Sequence, residues 1–235
     1  MKQFFSSFWH ILKNMKLELL LILVIIFGDY GLFRFVINLV NPSLLDRFLI
    51  ATIHYWFYLL PILFVYSLYR GEKKQLLYPA DSHQITKHYH LLIKYLIFVG
   101  AMILKELIFT VYYLLMFYNI IPKSKIAGGA FAGPEVFFGD LMYIFSYIFF
   151  ALSLVCAAWG IMKVVKSFRP FVGLAVLIIG FGVYFNLSSK IGDLGNAHTV
   201  KEYLEGISYE LLFSLCLGSI LCANGVYFQK KFGDV

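Results

Sequence analysis

The chain is 235 residues long, 61% hydrophobic and only 14% charged, with a net charge of +7. Soluble domains run at about 25% charged, so polar side chains are too few here to cover a water-facing surface or a sizeable soluble domain. The positive charge is not a nucleic-acid signal, because the Lys and Arg residues lie at the edges of apolar runs.

In chain order, residues 1–16 come first and are too short in apolar residues to cross a bilayer. Phe4, Phe5, Phe8, Trp9, Ile11, Leu12 and Met15 fall largely on one helical face, with Lys2, Lys13 and Lys16 left for the other. This pattern predicts an amphipathic helix lying in the membrane interface; a frayed cytoplasmic tail is the plainer alternative. The first long apolar run begins near Leu17 and ends at no A-x-A-like site, so the start does not read as a cleaved signal peptide.

Six apolar runs follow, at about 17–40, 48–69, 91–118, 136–162, 171–187 and 208–228. Each approaches the roughly 20 residues that cross about 30 Å of hydrocarbon. The fifth is short, framed by Pro170 and Asn186, and requires an untilted crossing or local thinning of the bilayer. Backbone groups in hydrocarbon must be paired internally, and the runs are continuous rather than alternating, so helices are expected and a barrel is not. The fold class is therefore all-α: a single polytopic membrane domain over 1–235, with six transmembrane helices and an N-terminal interfacial helix.

Orientation follows from the connections. A cytoplasmic N-terminus leaves Lys2, Lys13, Lys16, Arg70, Lys73, Lys74, Lys87, Lys94, Lys163, Lys166, Arg169, Lys230 and Lys231 inside. Arg47, Lys123, Lys125, Lys190 and Lys201 fall outside. The bias places both termini in the cytoplasm of a cell-membrane protein. The outer loops at about 119–135 and 188–207 carry a flexible Ala127-Gly-Gly-Ala130 stretch and a Thr199-Val-Lys-Glu202 capping box. That box opens either a short surface helix or the sixth span.

No nucleotide-binding glycine motif, H-E-x-x-H or G-x-S-x-G is present. Gly139-Asp140 fits an intramembrane aspartyl protease poorly, since Phe137 occupies the first glycine's place. Cys156, Cys216 and Cys222 form no CxxC pair and read as small core residues. His83, His88 and His90 have spacings that share no helical face well, so no metal is expected. Charges inside spans are the informative exception. Asp29 and Arg34 lie in the first, Lys105 and Glu106 in the third. Each needs a partner or water, and pairing Asp29 with Lys105 and Arg34 with Glu106 would bind the two spans together. The quartet reads either as a structural ion-pair network or as the lining of a cavity that meets charged cargo. The 25 Phe and 17 Tyr read as lipid-facing and interfacial residues, or as a slot for apolar cargo.

The inner loop at about 70–90 carries the most specific signal. Arg70-Gly-Glu-Lys-Lys74 closes the second span, Leu76, Leu77 and Tyr78 take apolar surface into the cytoplasm, and Asp81 or Ser82 can cap a helix from His83. Tyr78-Pro79-Ala80-Asp81-Ser82-His83-Gln84-Ile85 resembles the coupling-helix pattern of type-2 ABC-transporter permeases, roughly Leu-Pro-x-Ser-x-x-x-Ile with a following Lys, here Lys87 or Lys94. Tyr78 replaces the usual Leu. The order of parts is similar over the whole chain, and the small outer loops resemble compact members that export peptides or confer immunity to peptide antibiotics. The resemblance implies a cytoplasmic coupling helix (Leu77 to Ser82, His83 and Ile85) seated on a separate ABC ATPase. It implies no cofactor on this chain, ATP and Mg on the ATPase, and pairing with a second permease as a homodimer or heterodimer. It implies peptide or hydrophobic cargo. A membrane-embedded enzyme acting on lipid-linked substrate, with His54 or the Asp29 and Glu106 carboxylates as acid–base groups, and a non-enzymatic immunity protein are the alternatives.

Overall fold

The computed structural model describes residues 2–24, 26–27, 59–72, 87–119, 134–165, 168–192 and 199–232. Among these, every regular element is a helix: α1 (Lys2–Asn14), α2 (16–24, continuing through 26–27), α3 (59–72), α4 (Lys87–Asn119), α5 (Pro134–Val164), α6 (Arg169–Gly192) and α7 (Val200–Phe232). Among the described residues three helices are long and apolar enough to cross a membrane, at Leu141–Val164, Arg169–Ser188 and Lys201–Phe232. The expected third span lies within the backbone of α4. The expected first and second spans run partly through residues outside the description.

α5 is the axis of the bundle. It buries 72% of its apolar window, against 17% for α6 and 22% for α7, and every residue from 150 to 160 is buried. A helix apolar on all sides needs neighbours on all sides. Its most extensive neighbour is α7. A Cβ on Gly160 would fall on the Gly225 backbone, and one on Gly225 would fall on the backbone of Cys156. The two backbones touch because neither position carries a side chain. Gly218, Cys222 and Gly225 run along α7 at small-residue spacing and face Ser153, Cys156 and Gly160, which is how membrane helices approach closely.

The other helices close around this pair. α2 buries Glu18, Ile22 and Ile26 at four-residue intervals, and α3 buries Leu60, Phe64, Ser67 and Leu68. Both patterns give one core-facing stripe. Phe64 stacks obliquely on Phe98 of α4 at 5.1 Å, and the Tyr95 hydroxyl bonds Ser153 of α5 at 2.8 Å. The apolar face expected of α1 is divided. Ile11 and Met15 enter the core with Phe8 and Leu12 against it, while Phe5 and Trp9 face outward.

One helix runs past its expected apolar run, and one of the two openings expected of the capping box is the one present. α6 does not stop near Leu187 but stays helical to Gly192, because polar residues at the end of a span do not end a helix. At its start Pro170 occupies the first turn, where a missing N–H costs nothing, and Phe168 at φ 58° makes the sharp entry. Thr199 caps α7 directly, its Oγ1 accepting from Glu202 N at 3.2 Å. The capping box therefore opens the last long helix rather than a separate surface helix.

Candidate functional site

Two polar clusters interrupt the apolar bundle, one at each end. The first is a collar at the end where α3 leaves and α4 returns, the two stems of the 73–86 segment. Arg70 Nη1 of α3 donates to Glu18 Oε2 of α2 at 3.2 Å, and Glu18 is almost wholly buried. Two residues on, Glu72 pairs with Lys163 at the end of α5, and the Lys163 ammonium also lies 5.5 Å from the Trp159 ring centroid. On the returning stem, buried Lys94 of α4 donates to the Ser67 carbonyl of α3. His90 packs with Lys94 into the space left by the missing side chain of Gly71. Burial first, and the Lys94 charge second, push the His90 pKa down to about 3, so its imidazole is neutral. The α3 stem is thus tied to α2 and α5, and the α4 stem to the α3 stem, through charge-assisted bonds, the stronger kind.

The coupling residues proper, Leu77, Tyr78, Pro79, Ala80, Asp81, Ser82, His83 and Ile85, lie outside the described residues. So do Asp29, Arg34 and His54. Of the charged quartet the structure describes Lys105 and Glu106. Both are buried, and Lys105 Nζ donates to Glu106 Oε1 at 2.9 Å. The expected exchange with the first span is joined, on the described side, by this pairing of chain neighbours. Adjacent helical residues do not face one another, so the two side chains curl toward a shared point on α4. Among the described residues no group of three His, Cys, Asp or Glu side chains gathers as for a metal ion.

The second cluster, at the opposite end, was missed in the sequence. Glu210 of α7 is 1% exposed. Its Oε1 accepts from the Ser188 hydroxyl at 2.6 Å and the Tyr184 hydroxyl at 3.1 Å, both on α6. Tyr184 has one proton, committed to the carboxylate, so Ser214 donates to the phenol oxygen across their 2.9 Å contact. The Tyr184 ring stacks on Phe150 of α5 at 4.0 Å. The available signal was Glu210 itself, an acidic residue inside the sixth expected span, like the quartet that was noticed.

Between α3, α5 and α6 an open groove of about 460 Å³ is lined by Pro61, Ile62, Val65, Tyr69, Val155 and Phe181. It opens beside the collar and is almost purely apolar.

No known family model, characterised protein or solved structure matches the chain significantly. The functional reading therefore rests on the sequence and on these two clusters.

Proposed function

We propose that the chain is the membrane-spanning permease subunit of an ATP-driven exporter, energised by a separate ABC ATPase through the 70–90 loop. In this reading the chain crosses the cell membrane six times with both termini in the cytoplasm. It pairs with a second permease and moves amphipathic peptides or other hydrophobic cargo outward. ATP and Mg bind the partner, and this chain performs no hydrolysis.

The observation that carries the reading is the collar. A segment that receives force is useful only if its stems cannot slide independently of the bundle. Here Arg70, Glu72 and Lys94 bind those stems to α2, α3 and α5. Displacing 73–86 would then move three helices together, the kind of rigid shift by which packed elements switch state. The resemblance of Tyr78 to Ile85 to a coupling helix supplies the partner's identity. The apolar groove next to the collar suits the greasy face of an amphipathic cargo, and Lys105 and Glu106, with Asp29 and Arg34, supply charge for its polar face.

Co-purification tests this. The chain should bring down an ATPase encoded beside it, and replacing Pro79 to Ser82 with a Gly/Ser stretch should abolish both the complex and permease-stimulated ATP hydrolysis. Retention of binding and stimulated hydrolysis in the replaced chain overturns the assignment.

A further inference from the structure

Glu210 differs from every other buried carboxylate described. Glu18 has Arg70 and Glu106 has Lys105. For Glu210 no Lys, Arg or His among the described residues is near enough to act on it; its described neighbours are hydroxyls, from Tyr184 and Ser188 of α6, with the Tyr143 phenol of α5 also within electrostatic reach. Ser188 and Tyr184 both use Oε1, leaving Oε2 buried with no hydrogen-bond partner. A charged oxygen in that state costs several kcal/mol in hydrocarbon-like surroundings. The surrounding structure is too well ordered for this to be neglect: two hydroxyls converge on the one carboxyl, a third bonds the tyrosine oxygen, and Phe150 and Phe213 both stack on the tyrosine ring.

We infer that Glu210, Ser188, Tyr184 and Ser214 form a site for a monovalent cation, sodium or a proton, bound at the free Glu210 oxygen. All donors are oxygens, the set that hard cations take. One carboxylate matches a single positive charge, and among the described residues no group of three His, Cys, Asp or Glu side chains gathers to hold a divalent ion. The site joins α6 to α7 at the end of the bundle opposite the collar. Its occupancy fixes how tightly those two helices pack. The site stands independently of the exporter reading, since it needs neither ATPase nor cargo.

The test uses the purified full chain in detergent micelles, followed by thermal unfolding. In a sodium-free buffer with a bulky organic cation at alkaline pH, sodium chloride is titrated in at constant ionic strength. In a second arm sodium is absent and the pH is lowered stepwise. Any ligand that binds the folded state alone raises the melting temperature with its concentration. A sodium site is expected to show that rise in the first arm, and a proton site in the second. In either case Glu210→Gln removes the rise relative to wild type. Should Glu210→Gln not fold, Ser188→Ala keeps the carboxylate and is expected to move the half-saturating concentration about tenfold or more, roughly the worth of one hydrogen bond to a charged group. Wild type and variants that respond identically in both arms overturn the site.

Discussion

Glycines 160 and 225 make the sharpest residue-scale statement, because a methyl group at either would strike the partner helix's backbone rather than a movable side chain. Gly160→Ala or Gly225→Ala is expected to cost about 1–3 kcal/mol as the helices are pushed apart, read as a lower unfolding midpoint in detergent. Gly100 of α4 has nothing within 4 Å of such a methyl, so Gly100→Ala should instead stabilise by about 0.5–1 kcal/mol through helix propensity. Equal losses at all three positions would contradict the packing.

His90 gives a pH-dependent expectation. The unfolded chain takes up a proton at the ordinary 6.5, whereas the folded one resists until about 3. The neutral form's contribution to stability is therefore complete above about pH 6.5 and declines as the pH falls through that value. Between neutral and mildly acidic pH, wild type should lose stability and His90→Asn should lose less. Parallel curves would show that the imidazole is freely solvated.

Lys105 separates the two roles open to the quartet. Lys105→Met is expected to leave assembly intact while ATPase activity stops responding to cargo. Unchanged export would make Lys105 and Glu106 a purely structural pair. The residue types of this pair were legible in the sequence, but their mutual contact was not, since one-residue spacing argues against it.

Among the elements, the collar is the feature that spacing alone could not supply. Arg70 and Glu72 read as the closing charges of a span, yet their partners Glu18 and Lys163 are 52 and 91 residues away. Removing one member of a partly buried pair strands the other's charge, whereas removing both relieves it. Glu72→Gln alone should therefore lower stimulated ATP hydrolysis more than Glu72→Gln combined with Lys163→Met. A cycle in which the two losses simply add would show that the link carries nothing. Helix ends were partly legible: Thr199 and Pro170 announced two starts through known capping chemistry. α6 runs on to Gly192 past its apolar run, because hydropathy marks where lipid stops, not where a helix does.

For the molecule as a whole, composition alone was enough to anticipate an all-helical chain with membrane-crossing helices, because 14% charged residues cannot clothe a soluble surface. The arrangement around α5 was beyond that reading, since all the runs are similarly apolar and only packing distinguishes an axis from a rim. α6 and α7 keep Phe171, Leu174, Ile178, Tyr209, Leu212 and Ile220 outward, faces suited to lipid or to the second permease of the proposed pair. The small-residue spacing of Ser214, Gly218, Cys222 and Gly225 was visible in the sequence and would have identified α7 as the close partner had it been weighed.

The central claim is that 73–86 projects into the cytoplasm, where a motor can reach it. The most direct measurement replaces the three native cysteines, introduces Ser82→Cys, and treats intact cells with a membrane-impermeant maleimide. The account predicts no labelling until the cells are opened, and then protection when the ATPase is co-expressed. Labelling of intact cells would contradict it.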